Sequence, residues 1–358
     1  MSIDTHPSLH ACRAPAAPPK PRKKSRGRGG KRARARTEAA LQHEALGPGA
    51  DDTAADVGAE VNPSCGRELW REFYARQKLL SGADEWRAFG RAMRTALPVT
   101  FRRSALQSRR AESEACWCEG LALVERLEAA GTARGVALEW CGGYQLGVSR
   151  TELRGSPLAE AAALQRWLVA SCDAGLVVRQ ELVSMLPAAM LRIQPNDAVL
   201  DMCAAPGSKT AQLLEAVDHS AGGGVVVAND TSPSRAYVLA HRIKGLAKGS
   251  PLNVLVVSHR GQRFPRGGGD AQPGVGPYDK VLCDVPCSGD GTLRKEPSLW
   301  SNWRPGLGQA LHSLQLQLAT RAASLLKVRH GPRPFSPPPT YVLNRYSWDA
   351  STRTMCSA

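Results

Sequence analysis

The spacing of apolar side chains divides the chain into stretches of different character. Residues 1–62 offer almost nothing to bury at any period, and such a segment is expected to stay disordered. From residue 67 apolar positions recur at helical spacing: Leu69, Trp70, Phe73 and Tyr74 with Gln77, then Trp86, Phe89 and Met93 in a second helix. Pro98 ends that pattern, so residues 97–103 are expected to be extended, with Arg102 and Arg103 exposed and either holding phosphates or, as is commoner for surface arginines, merely solvated. A further helix is expected over 114–130. Residues 63–175 then form a small N-terminal α/β region.

The period changes again in the second half. Residues 198–202 are a short apolar run of the kind a fully buried strand uses, and from Ser208 a helix follows with Leu213, Leu214 and Val217 on one face. Further buried strands are expected over 224–230, 252–257 and 278–284, with a helix over 234–245 and a Gly- and Pro-rich loop over 265–277. A long helix over 309–326 turns Leu311, Leu314, Leu318, Ala322 and Leu325 inward. Continuous apolar strands alternating with helices predict an α/β fold with a parallel, doubly wound sheet. Ligands of such sheets lie at the carboxyl ends of the strands, where Asp201, Asp230 and Asp284 all fall. The catalytic domain is placed at 176–327, and 328–358 is read as a divergent, unstructured tail.

Charge adds a partner to this picture. Lys and Arg number 47 against 32 acids, a formal net charge of +15, which points to a polyanion and first to nucleic acid. The positive charge concentrates in residues 20–36, ahead of an acidic patch at 51–60. The run reads either as a nuclear or nucleolar address with non-specific RNA affinity, or as a solvated low-complexity extension. The ten cysteines form no C-x-x-C pair, so a reducing compartment and no metal are expected. No apolar run is long enough to span a membrane, and no secretory signal core is present, so a soluble intracellular protein is expected.

Candidate chemistry sits in two turns. Cys203-Ala204-Ala205-Pro206-Gly207 joins a strand to the helix that opens with Ser208 and Lys209. Small side chains admit a ligand to the backbone, and the helix start offers unpaired N–H groups and a positive dipole end. Neither a phosphate loop nor a G-x-G-x-x-G turn is present, since Cys203 and Ser208 stand where a phosphate loop needs glycines. A turn suited to a carboxylate, after a strand ending in Asp201, points to S-adenosylmethionine, and Asp230 is placed to accept ribose hydroxyls. The second turn, Asp284-Val-Pro-Cys-Ser-Gly-Asp-Gly-Thr292, carries Cys287 in a rigid loop. A thiolate beside a pyrimidine can add to carbon 6 and make carbon 5 nucleophilic. Cys203 and Cys283 are more simply read as packing.

These two turns, with residues 179–187 before them, resemble the Fmu/Sun (Nol/Nop/Sun) family of RNA cytosine-5 methyltransferases, and residues 313–321 bring the chain nearest to the eukaryotic nuclear tRNA enzymes. The resemblance covers residues 67–327. It implies a Rossmann-like class I methyltransferase sheet that binds S-adenosylmethionine and acts on RNA, most of all tRNA, as a monomer in the nucleus or nucleolus. By the family pattern, residues 204–209 wrap the methionine end of the cofactor, Asp230 holds the ribose, Asp284 lies beside cofactor and cytosine, and Cys287 assists release of the product.

Two departures from the family pattern bear on activity. Ser258-His259-Arg260 stands where the family carries a His-Asp pair facing the adenine. Residues 329–340 have loop composition where the family continues toward a Thr-Cys that supplies the attacking nucleophile. Residues 341–346 could form a strand but lack that cysteine, and Cys356 is at the wrong spacing. A sheet incomplete at its C-terminal strands is therefore expected, with the 278–284 strand left as an edge. A catalytically inactive RNA- or cofactor-binding remnant is the alternative reading.

Overall fold

The computed structural model describes residues 64–217, 223–249, 251–266, 276–327 and the backbone of 340–344. The basic run at 20–36, the acidic patch, most of the 265–277 loop and Cys356 lie outside the described residues. Helices α1 (Ser64–Arg76) and α2 (Ala83–Arg94) come first. Asp84 and Glu85 in the first turn of α2 and Arg91 and Arg94 in its last complement the helix dipole. Their aromatic faces meet Leu293, Trp300 and Trp303 from far along the chain.

Strand β1 (Pro98–Arg103), helix α3 (Arg110–Ala129), strands β2 (Val136–Leu138) and β3 (Gly143–Ser149), helices α4 (Arg150–Gly155) and α5 (Ala159–Asp173) and strand β4 (Val177–Arg179) follow. The strands form an antiparallel sheet in the order β2-β3-β1-β4. A capping box, in which Ser149 and Glu152 satisfy each other's backbone N–H, starts α4. Phe101, Leu127, Leu164 and Trp167 form the core between this sheet and its helices.

The second sheet follows helix α6 (Leu182–Met190). It contains β5 (Ala198–Asp201), β6 (Val225–Asn229), β7 (Val254–Val257), β8 (Lys280–Asp284) and β9 (Thr340–Asn344), crossed by α7 (Ser208–Ala216), α8 (Pro233–Ala247), the short α9 (Gly306–Gln309) and α10 (His312–Ser324). All pairings are parallel, in the order β7-β6-β5-β8-β9. Val199 and Val226 face Leu213, Leu214 and Leu239, while Leu200 and Val227 face the α10 side with Leu318 and Ala322. Because both faces of β5, β6 and β8 are covered, these strands are apolar without alternation. The fold is α/β with a Rossmann-like parallel sheet, as the sequence pattern predicts.

Two expectations are corrected. Strand β8 is not an edge: β9 lies beside it in register from Lys280↔Thr340 to Asp284↔Asn344. The stretch after the Pro-rich segment therefore supplies backbone partners that the tail reading left missing. Arg102 is not exposed. Its side chain is 2% accessible and pairs with Glu215 of α7, 6% accessible, while its Nε donates to Gln180 Oε1 at 3.1 Å. Gln180 in turn donates to Gln212 at 2.6 Å, so a buried polar network joins the antiparallel sheet to α7. Arg103 is partly buried and pairs with Glu114 at 2.8 Å. Removing one partner of a buried pair leaves the other charge uncompensated. Arg102→Ala is expected to lower unfolding free energy by about 3–5 kcal/mol in urea denaturation; a loss below about 1 kcal/mol would match a surface pair instead.

Candidate active site

The site is built from the loops beyond the carboxyl ends of β5, β6 and β8. Asp201 ends β5 and is 1% exposed. Thr210 Oγ1 of α7 donates to its Oδ2 at 2.8 Å, while its Oδ1 has no hydrogen-bond partner among the described residues. Burial pushes this carboxyl from 3.8 to about 7; the Thr210 hydrogen bond and the charge of Lys209 oppose the rise, and the charge of Asp284 adds to it. Asp201 therefore braces the start of α7 from below the turn.

The 203–207 turn is held by its own backbone and by β6. Gly207 N donates to Ala204 O at 2.8 Å, and Ala204 N donates to Asn229 O at 2.7 Å. Gly207 caps α7 at φ +100°, and a Cβ there would stand 2.7 Å from Leu239 Cδ1. Both the left-handed backbone and the close approach of α8 require glycine. The first-turn N–H groups of α7, from Ser208 onward, have no intrahelical acceptor and face the same edge.

Asn229 was not legible as a site residue, yet it ties the edge together. Its side-chain amide donates to Met202 O at 2.9 Å and His259 O at 3.0 Å, and its Oδ1 accepts from His259 N at 2.8 Å. The only signal in the sequence is an amide closing an otherwise apolar strand. Asp230, next in the chain and 2% exposed, accepts from Ser232 N at 3.0 Å and pairs with Arg235 at 3.3 Å. Arg235 also donates to Ala205 O at 2.8 Å, bridging the first turn and Asp230. Exposed Arg260 follows His259 on the neighbouring loop.

Across the edge, Lys209 Nζ donates to Asp284 Oδ2 at 2.6 Å, linking the start of α7 to the end of β8. Gln315 Nε2 holds Pro286 O at 2.8 Å from α10. Next in the chain is Cys287, half-buried, with its thiol pushed up by burial and by the charges of Asp284 and Asp290, against a backbone hydrogen bond from Gly289 and the charge of Lys209. Near neutrality it is a thiol, a poor attacking group but a competent proton carrier. Burial also raises Cys203 and pushes Cys283 to about 12, in keeping with packing roles. Among the described residues no group of three or more His, Cys, Asp or Glu could hold a metal, and no helix is long and apolar enough to cross a membrane.

The two turns thus meet at adjacent strands, with the Lys209–Asp284 pair between them. Residues 188–331 match the family described as 16S rRNA methyltransferase RsmB/F. Over these residues the chain is similar to that methyltransferase family. It is 38% identical over 273 residues to the multisite-specific tRNA:(cytosine-C(5))-methyltransferase of Saccharomyces cerevisiae, covering 73% of this chain and 39% of that protein. It is 37% identical over 280 residues to the tRNA (cytosine(34)-C(5))-methyltransferase of Drosophila melanogaster, covering 72% of this chain and 36% of that protein. The chain spans less than half the length of these relatives. Among solved structures, the crystal structure of PH0851 is similar in fold, with a TM-score of 0.51 at 23% identity, covering 77% of this chain and 55% of that one.

The raised Asp201 carboxyl gives a pH test. Between about pH 4 and pH 7 the folded chain holds a proton that the unfolded chain has lost, so this group's contribution to stability falls as pH rises through that window. Asp201→Asn keeps an oxygen for Thr210 and removes the titration. The unfolding free energy of the variant relative to wild type is expected to increase from pH 4 to pH 7; a difference independent of pH would contradict the assignment.

Proposed function

We propose that the protein is an S-adenosylmethionine-dependent RNA methyltransferase that forms 5-methylcytosine in tRNA. The observation that carries the reading is the junction of the 203–207 turn and the Cys287 loop through Lys209 and Asp284 at the carboxyl ends of β5 and β8. When bound, S-adenosylmethionine supplies an electrophilic methyl group. The residues present fit it. The start of α7 offers first-turn N–H groups without intrahelical acceptors, and the Lys209–Asp284 pair keeps a counter-charge at hand for a zwitterionic methionine end. Cys203, Ala204, Ala205, Pro206, Gly207, Ser208 and Lys209 would hold that end, and Asp230 the ribose. A ribose diol would take the place of Arg235 on Asp230 Oδ2, and the 46% accessible Arg235 side chain is free to yield it.

Asp284 orients the base from the end of β8. Product release requires loss of the carbon 5 proton to a base and departure of the sulfur bound at carbon 6, and Cys287, protonated near neutrality, can donate the proton that this departing sulfur takes up. Turning a cytosine out of its stack costs on the order of a few kcal/mol, which contacts to flanking RNA must offset. The exposed Arg71, Lys78, Arg91 and Arg94 of the α1–α2 region, with the basic residues of the N-terminal tail, supply that grip in this reading. The basic run at 20–36 supports a nuclear, and nucleolar, address.

The test is incubation of the full chain with labelled S-adenosylmethionine and unmodified tRNA, alongside Cys287→Ala. Label at cytosine carbon 5 is expected, with multiple turnover reduced by about 100-fold or more in the variant. Absence of label from a chain that still binds the cofactor would overturn the proposal.

A further inference from the structure

Asp290 lies three residues after Cys287, is 8% exposed and accepts three hydrogen bonds. Ser288 Oγ donates to its Oδ1 at 2.6 Å and Trp303 Nε1 to the same oxygen at 3.1 Å. The third donor, Tyr74 Oη at 2.5 Å from Oδ2, comes from α1, 216 positions away in the chain. Burial and the neighbouring carboxylate push the Tyr74 phenol up, so it stays a donor at any working pH.

The contact sits inside a wider seam. Trp70 meets Trp300 edge-on at 5.3 Å, Phe73 meets Trp303 at 5.6 Å, and the Arg67 guanidinium lies over the Trp300 ring at 5.4 Å. At Gly66 a Cβ would stand 1.7 Å from Trp300 O, so the backbone of α1 lies directly on the 297–302 turn. Arg294 Nε donates to Thr95 O at 3.1 Å beyond α2. The segment after Cys287 is thus fastened to the N-terminal helices rather than to the parallel sheet alone.

We propose that α1 positions the Cys287 loop, with Tyr74 acting through Asp290 as a positioning residue that sets the access and reactivity of the Cys287 thiol. A buried carboxylate that loses one of its donors must find another partner or move toward water, and Ser288 and Gly289 join Asp290 directly to Cys287. The significance of the inference rests on the reading of Cys287 as a reacting group, but its test needs no turnover, so the two fail separately. Asp284, Asp290 and Lys209 are the charged groups acting on the thiol, and Tyr74 is the titratable group that α1 brings to Asp290.

The experiment is timed alkylation of the full chain with iodoacetamide, read cysteine by cysteine by mass spectrometry, for wild type, Tyr74→Phe and Asp290→Asn. Tyr74→Phe is expected to speed labelling of Cys287 by about fivefold or more, while buried Cys283 stays unlabelled. Asp290→Asn is expected in addition to lower the midpoint of the pH profile for Cys287 labelling, because a charge that disfavours the thiolate is gone. Wild-type labelling rates for Cys287 in Tyr74→Phe would overturn the proposal, as would an unmoved midpoint in Asp290→Asn. So would labelling of Cys283 in step with Cys287, which would mark general loosening.

Discussion

One buried amide governs the geometry of the site. Asn229 ends β6 and satisfies backbone groups on both sides, Met202 after β5 and His259 after β7, while its own carbonyl receives Ala204 N from the first turn. Each buried backbone group needs a partner, and the loops at the carboxyl edge lie beyond the ladder that serves the strands. Asn229 is 0% exposed, so its donors and acceptor have no water to turn to and hold the three loops in one arrangement. The positions of Asp230, of the 203–207 turn and of the α7 start all depend on that arrangement.

A second set of contacts extends order outward from the parallel sheet. Arg102 and Glu215 join the antiparallel sheet to α7, the same helix whose start carries Lys209. Tyr74 and Asp290 join α1 to the loop after β8. Both links reach from the N-terminal half of the chain to an element that carries a site residue, so the site is supported from two sides by segments distant in sequence.

Much of this was legible in the sequence, for a physical reason. Strands buried on both faces must be apolar throughout, which made β5, β6 and β8 visible, and an acid closing such a strand stands out, which marked Asp201, Asp230 and Asp284. Strand β7, at the edge and partly exposed, is visible from its unbroken apolar run alone. The features that stayed hidden depend on partners far along the chain. Arginine is usually exposed, so Arg102 reads as a phosphate ligand until Glu215, 113 positions away, is seen beside it. Tyr74 reads as one more aromatic of a helical face, because nothing local announces a hydroxyl partner at residue 290. Residues 341–346 read as a candidate strand, but the Pro-rich stretch before them hides its pairing with β8. Asn229 escapes notice because all three of its side-chain hydrogen bonds go to backbone, which leaves no residue pattern.

The central claim is that this edge is a nucleoside-binding site anchored on Asp230. Calorimetric titration of the full chain with S-adenosylmethionine, beside Asp230→Ala, tests it most directly. Binding by the wild type and a loss of about 10-fold or more in the variant, the range for a hydrogen bond to a charged group, is the predicted result. Equal affinity in the two proteins would contradict the account.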